Sequence, residues 1–152
     1  MHINDSDRRL LRHLQQAPEL ALAELASRAA LSPATCSRRL DKLRRAGVIL
    51  GQRAVINWAA LGYEVQVSLR ITLEKSAPRA FDEFLAAARE VPEVMEIQTF
   101  LGRVDVRLHV LARDMAHYQH LYRSRILTLP HISEVEALVQ MAELLADRGL
   151  PL

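Results

Sequence analysis

Apolar residues recur at two different spacings in this chain, helical in roughly the first 50 residues and alternating in the second half. Near the N-terminus, Asn4 and Asp7 resemble a capping box in front of a helix that ends before Pro18. One face of that helix carries three leucines, Leu10, Leu11 and Leu14. Leu22, Leu25 and Ala26 indicate a second, shorter helix, which Ala21 caps poorly.

The third predicted helix carries the most information. Ser32 and Pro33 are a strong start signal, and Gly47 is a typical residue just after a helix end. At ~100° per residue, one buried stripe is formed by Cys36, Leu40 and Leu43. The opposite face carries short side chains and cations, namely Ala34, Thr35, Arg38, Lys42 and Arg45. With a gap of only three residues after the second helix, this pattern favours a helix-turn-helix, whose second helix enters the major groove of DNA. The alternative is a solvated helix in a small helical bundle.

The second half alternates strands with helices. A strand at Val48–Ile56 and a turn at Asn57–Gly62 are expected to lead out of the helical part. Four strands are predicted after it, at residues 65–73, 94–100, 104–110 and 135–141. A helix that opens at Pro78 lies between the first two strands, and its inward residues are Phe81, Phe84, Leu85 and Ala88. A helix capped by Asp114 lies between the last two strands, and its inward residues are Met115, Tyr118, Leu121 and Tyr122. The order β-α-β-β-α-β is that of a ferredoxin-like sandwich.

These elements predict an α+β protein of two domains. Residues 1–50 form the helix-turn-helix domain, 51–62 a linker strand and turn, and 63–152 a second domain. An internal echo supports the double βαβ unit, because Val91–Ile97 resembles Leu129–Val135. Two helices on one side of the sheet leave the other face open, and we expect that face to carry Val or Ile. A second copy of the chain would cover it, which predicts at least a dimer.

Composition and charge narrow the function. Residues 1–60 hold ten Lys/Arg against five Asp/Glu, a balance of +5, whereas residues 61–152 hold ten against thirteen, a balance of −3. A basic first part suggests a polyanion-binding module. The single cysteine, Cys36, excludes an internal disulfide, and neither a signal peptide nor an apolar run of ~18 residues is present, so a cytoplasmic protein is expected.

Several stretches resemble the Lrp/AsnC family of transcriptional regulators, and the resemblance covers essentially the whole length. The segments that carry it are Asp7–Leu11, Leu31–Leu40, Leu43–Ile49, Phe100–Asp105 and Leu129–Ile132. The resemblance implies a winged-type helix-turn-helix followed by a ferredoxin-like sensor domain. It also implies dimers that often assemble further, to tetramers or octamers, and a free amino acid or related metabolite as effector, with no cofactor.

Residues that contact double-stranded DNA are expected at the third helix. Base or base-adjacent contacts are predicted for Ser32, Thr35, Ser37 and Arg38, with Pro33 and Ala34 at the same end of the helix. Phosphate contacts are predicted for Arg39, Lys42, Arg45 and Arg53. The buried position predicted for Cys36 favours a packed, inert thiol over a redox sensor.

In the family the effector lies at contacts between sensor domains, near the loop that matches Gly102–Asp105. The candidate effector residues are Phe100, Leu101, Gly102, Arg103, Val104, Asp105, Ala137 and Met141. Free amides near Gly102 would bind a carboxylate and Asp105 an ammonium group. An ordinary hairpin turn, with Asp105 capping its own backbone, is an equally good interpretation of the same residues.

Three further alternatives stay open. The regulator could organise DNA without any ligand. Sirohaem decarboxylases use a similar scaffold, and Arg107 and His109 on one predicted strand could share an open face. A metal site is suggested only by the three-residue spacing of His117 and His120, with His109 and His131 elsewhere, and a solvated helix face explains that spacing better.

Overall fold

A computed structural model describes residues 2–146 and 149–152. The described residues form two compact units, one made of residues 2–55, 144–146 and 149–152 and the other of residues 56–143. The second domain is predicted to run to residue 152, whereas residues 144–146 and 149–152 cluster with the first unit. They belong to the first unit because the side-chain amide of Gln15 exchanges two hydrogen bonds with the backbone of Leu150, at 2.9 and 2.6 Å. No helix in the described residues is both long and apolar enough to span a membrane.

The first unit contains three helices, α1 (Asp5–Gln16), α2 (Leu22–Arg28) and α3 (Pro33–Arg45). The predicted capping box at Asn4 and Asp7 is confirmed, and so is the cap of α3, where the Ser32 hydroxyl accepts from the backbone N–H of Thr35. The core of this unit consists of Leu10, Leu25, Ala26, Ala29, Cys36, Leu40 and Leu43. The turn between α2 and α3 depends on Ala30, which adopts φ 54° and lets the N–H of Leu31 bond the carbonyl of Ala26 at 2.9 Å.

The segment after α3 differs from the prediction. Val48–Ile56 forms no strand, although it is β-prone and follows the helical unit as expected. A strand requires a hydrogen-bonded neighbour, and nothing in the described residues pairs with this segment. As a result Leu50 and Val55 are almost fully exposed.

The second unit confirms the predicted β-α-β-β-α-β order. It contains β1 (Val65–Leu73), α4 (Ala80–Arg89), β2 (Val94–Thr99), β3 (Val106–Ala112), α5 (Met115–Leu121) and β4 (Ile132–Val139). The sheet is antiparallel with strand order β2-β3-β1-β4, the order of a ferredoxin-like sandwich. Helix α5 continues into one wider π-type turn at Tyr122–Ile126.

The two faces of the sheet differ in polarity. Val67, Leu69 and Ile71 of β1 pack with Phe84 of α4 in the core. The alternating residues Ser68 and Arg70, with their β3 neighbours His109 and Arg107, point the other way. The expectation of an open face of Val or Ile was therefore wrong, because strict alternation sends the β-branched residues of β1 to the helix side. The inward positions predicted for Phe81 and Met115 were also wrong, since both are more than 40% exposed.

Candidate nucleic-acid interface and effector loop

Helix α3 presents its cations away from the core. Cys36, Leu40 and Leu43 are buried, while Arg38, Lys42 and Arg45 are exposed on the opposite side. Within the described residues none of these three cations makes a salt bridge or a side-chain hydrogen bond. An outward row of unpaired cations on a helix that begins with short polar side chains has the form of a recognition helix.

Arg39 is not part of that row, because its side chain makes an ion pair within the unit. Its Nη1 lies 2.8 Å from a carboxylate oxygen of Asp7, which is only 2% exposed, and 3.3 Å from the side-chain oxygen of Asn4. The pair joins the start of α1 to the middle of α3, so Arg39 stabilises the unit, and its side chain is 27% exposed. Arg39 follows Arg38 directly and is therefore rotated ~100° around the axis of α3, toward α1. The sequence pattern alone did not distinguish the two arginines.

The short polar residues of α3 divide into two groups. Ser32 and Thr35 lie at its N-terminus, where their hydroxyl groups hydrogen-bond each other at 2.9 Å, and Pro33 and Ala34 beside them are exposed. Ser37 is half-buried and lines a cavity of about 240 Å³ with Leu40 and Arg44. Ser37 therefore lies to the side of the exposed row. Arg53 is exposed in the extended segment that follows α3.

Cys36 is fully buried in the core of the first unit. Burial raises the pKa of its thiol above the ordinary value because the charged thiolate loses hydration. This environment matches the packed, unreactive thiol expected from its place on the helix.

The candidate effector loop is a hairpin tip between β2 and β3. The N–H of Phe100 bonds the carbonyl of Asp105 at 2.9 Å and closes the loop, while the side chains of Phe100 and Leu101 are exposed. In the part of the chain that the structure describes, the backbone N–H groups of residues 101–104 donate to no acceptor. These four amides are therefore free to donate to another acceptor.

Asp105 is anchored to the neighbouring strand. Its Oδ2 accepts from the backbone N–H of Leu73 at 2.9 Å, and its own N–H bonds the carbonyl of Ile71 at 3.0 Å. The other oxygen, Oδ1, lies 3.7 Å from Nζ of Lys75. The carboxylate is only 15% exposed. Asp105 thus caps the end of β1. The alternative interpretation, in which Asp105 caps the backbone of its own turn, does not describe this contact.

Ala137 and Met141 do not join this loop within one chain. Ala137 pairs with Leu69 in the middle of β1, and Gln140 bonds Gln66 near the start of β1, whereas the loop lies beside its other end at Leu73. At ~3.3 Å per residue, the two ends of β1 are ~26 Å apart. Within one chain Met141 therefore does not meet Phe100 and Val104, and the predicted site at a contact between sensor domains stays a prediction.

Lys75 is the residue that sequence reasoning missed. It lies 30 positions before Asp105, and only the pairing of β1 with β3 brings the two together. Asp7 was noted as a cap but not as the partner of Arg39, because an ion pair between two helices leaves no local signal.

The four histidines that suggested a metal site do not form one cluster. His131 bonds a carboxylate oxygen of Glu83 at 2.6 Å, and His117 Nδ1 accepts from the backbone N–H of Arg113 at 3.1 Å. The ring of His109 lies 6.2 Å from that of Trp58. His120 lies exposed on α5. The described residues contain no cluster of three or more metal-ligating side chains.

Comparison with known proteins agrees with both halves of the molecule. Residues 3–49 match the family model for a winged helix-turn-helix DNA-binding domain, and residues 66–150 match that for the Lrp/AsnC ligand-binding domain. The chain belongs to the Lrp/AsnC family of transcriptional regulators. It therefore carries the DNA-binding and ligand-binding domains of this family.

Relatives from several bacteria support this assignment over nearly the whole chain. The leucine-responsive regulatory protein of Salmonella typhimurium is 34% identical over 137 residues, which span 90% of this chain and 84% of the relative. The same protein of Haemophilus influenzae is 33% identical and covered to 82%.

Solved structures give the same result. A Neisseria meningitidis transcriptional regulator in complex with L-methionine superposes with a TM-score of 0.92 at 27% identity, covering 99% of this chain and 97% of that one. AsnC of E. coli gives a TM-score of 0.86 at 28% identity, covering 96% and 97%.

Proposed function

We propose that this Lrp/AsnC-family regulator reads a specific DNA sequence with α3 and that a free amino acid, bound at the loop 100–105, changes its DNA binding or assembly. The observation that carries the DNA-binding part is the outward row Arg38, Lys42 and Arg45 on a helix whose opposite side is buried. Long cations contact phosphates and position the protein, while residues near the helix N-terminus read base edges.

Roles on α3 follow from place and chemistry. Ser32, Thr35 and Arg38 are the proposed base-reading residues, with Ser37 beside them. Lys42, Arg45 and Arg53 are the proposed phosphate contacts. Arg38 can bond two acceptors on a guanine edge at once, which gives it the largest share of the discrimination.

The DNA-binding part is tested with the full chain. Duplexes selected by the protein from a random pool would be compared with scrambled duplexes of equal length in fluorescence-anisotropy titrations. We expect the triple variant R38A/K42A/R45A to lose binding to both. The control is Arg123→Ala, which removes one exposed arginine from the sensor unit; Arg123 makes no ion pair in the part of the chain that the structure describes, and we expect its loss to leave binding unchanged. Full binding by the triple variant would contradict the proposed interface.

The effector part rests on complementary groups at one hairpin. Oδ1 of Asp105 makes no hydrogen bond within the described residues, and the free amides of residues 101–104 lie in the same loop. Together they match the ammonium and carboxylate groups of a zwitterion. Phe100 and Val104 supply apolar surface, which favours an amino acid with an apolar side chain. A relative of this chain has been solved with L-methionine.

Assembly is part of the proposal. Ala137 and Met141 reach the loop only if they come from a second subunit, so we propose at least a homodimer, with assembly to a tetramer or octamer bringing sensor domains together. Leu50 and Val55 of the first unit are largely exposed in one chain, which supports a surface that another copy covers. Light scattering of the purified chain measures the assembled mass.

The effector part is tested by thermal shift with each of the twenty amino acids. We expect at least one to raise the melting temperature of the wild type and Asp105→Ala to abolish that response. A well-folded protein that responds to none would instead favour a ligand-independent, DNA-organising regulator.

We further propose that the chain is not an enzyme, works in the cytoplasm and requires no cofactor. Its relatives are transcriptional regulators, which points away from a sirohaem decarboxylase. Arg107 and His109 do share the open face, but Arg107 lies 3.7 Å from Glu96 and His109 packs near Trp58. Absorbance titration with a tetrapyrrole is expected to show no spectral change at concentrations where DNA binds.

A further inference from the structure

Lys75 is the only side-chain cation within 4 Å of Asp105 in the described residues. It approaches Oδ1, the carboxylate oxygen that accepts no backbone hydrogen bond. The N–H of Leu73 fixes the carboxylate by bonding Oδ2 at 2.9 Å. Nζ of Lys75 lies 3.7 Å from Oδ1, within Coulombic range but longer than a hydrogen bond. The Asp105 side chain is 15% exposed and that of Lys75 is 73% exposed.

We propose that Lys75 is an internal competitor for the effector, and that the ammonium group of an amino acid displaces it from Asp105. This inference rests on the proposed effector function of the loop. Lys75 carries the same chemical group as the ligand, a primary ammonium, on a flexible four-carbon stem. It therefore neutralises Asp105 in the empty protein and moves into solvent when a ligand binds.

The geometry explains why displacement is easy. Nζ makes no hydrogen bond to Oδ1, and its side chain is largely in water, so the pair contributes little. The carboxylate of an amino-acid ligand would bond the free amides of residues 101–104. The ammonium group of that ligand would then reach Oδ1 with a smaller loss of conformational entropy than a lysine side chain. Lys75 thus lowers effector affinity without blocking the site.

Ligand selection follows from the same contact. Only a ligand with an ammonium group can replace Lys75 at Asp105. A 2-hydroxy acid of the same carbon skeleton offers no cation and would leave the ion pair in place. Lys75 therefore acts as a specificity-determining residue that makes the site respond to amino acids and not to their deaminated analogues.

The test compares full-length wild type, K75Q and K75R. Lys75→Gln removes the competing charge, and Lys75→Arg retains it. Arg79→Gln is the matched control, because it removes one exposed positive charge from the same unit, and Arg79 makes no salt bridge within the described residues. The amino acid that gives the largest thermal shift is titrated calorimetrically into each protein, and its 2-hydroxy acid analogue is titrated in parallel.

We expect K75Q to bind the amino acid about two- to five-fold more tightly than wild type, the range that an exposed ion pair contributes. K75R and R79Q should stay within about 1.5-fold of wild type, and the hydroxy acid should gain nothing from K75Q. Equal affinities of K75Q and wild type would overturn the role of Lys75 while leaving the effector function intact. An equal gain in R79Q would reduce the effect to general charge and overturn it as well. If neither wild type nor K75Q binds any amino acid, the effector function itself fails.

Discussion

Arginines project outward from two surfaces of this protein, and the two surfaces differ in what surrounds them. On α3, Arg38 and Arg45 have no anionic partner in the described residues. On the open face of the sheet, Arg70 lies 3.5 Å from Glu136 and Arg107 lies 3.7 Å from Glu96. The arginines of α3 therefore keep a positive charge that can bind a polyanion, whereas the positive charges on the sheet are neutralised by neighbouring glutamates.

The two surfaces differ in charge pairing because a helix and a sheet place different residues next to an arginine. A helical residue meets residues three and four positions away, and the one acid on α3, Asp41, lies 3.5 Å from Arg44. A strand residue meets residues from distant parts of the chain. Arg70 and Arg107 are directly opposite each other on β1 and β3, an unfavourable pair that the outer strands balance with one glutamate each. Exposed arginine alone therefore does not identify a DNA-binding surface.

The largest effect is expected at Arg39, the arginine of α3 that is not in the exposed row. Arg39→Ala leaves the carboxylate of Asp7, 2% exposed, without its partner and should lower the free energy of unfolding by about 3 kcal/mol. Urea denaturation followed by circular dichroism measures this. Its neighbour provides the control, since Arg38→Ala should change stability by no more than about 0.5 kcal/mol. Equal losses for both would mean that Arg38 is also structural.

The next effect separates base reading from phosphate contact. Arg38→Ala should weaken binding to the selected duplex by about 1–3 kcal/mol and relax its sequence preference, because base contacts discriminate. Lys42→Ala should weaken specific and scrambled duplexes alike and reduce the salt slope by about one. Anisotropy titrations at two salt concentrations measure both. Arg70→Ala, on the self-neutralised face, should leave DNA affinity unchanged; a loss as large as that of Lys42→Ala would remove the distinction between the two surfaces.

A smaller effect is expected at Ala30, whose backbone sets the direction in which α3 leaves α2. Its φ of 54° is costly for a residue with a Cβ, whereas glycine adopts it without steric strain. Ala30→Gly should therefore raise the free energy of unfolding by about 1 kcal/mol. Calorimetric melting measures the gain, and unchanged DNA affinity would show that the orientation of the cationic row is preserved. A lower melting temperature would show that Ala30 is not strained.

The smallest effect is expected on the sheet face. The coupling between Arg70 and Glu136, both about half exposed, should be less than about 1 kcal/mol in a double-mutant cycle and should fall as salt is added. Urea denaturation of the R70A, E136A and double variants gives the value. A coupling of several kcal/mol that is insensitive to salt would show that this face is covered in the folded assembly.

Much of the architecture was predictable from local patterns. The caps at Asn4 and Ser32, the buried stripe of α3 and the alternation of β1 act over a few residues, and the structure confirms them. That Val48–Ile56 forms no strand was not predictable in the same way, since β-propensity does not supply a partner. The pair Asp7–Arg39 and the contact of Lys75 with Asp105 join residues 32 and 30 positions apart, beyond the reach of any local pattern.

The sequence by itself determined the order of the helices and of the four strands of the sheet, which side of α3 is apolar and which family the chain resembles, because periodicity and end caps are properties of neighbouring residues. Only the tertiary structure decided which cations remain unpaired, that the carboxylate of Asp105 caps β1, and that Met141 lies at the far end of the sheet from the effector loop. These outcomes depend on strand pairing and helix packing, which place residues side by side regardless of their distance along the chain.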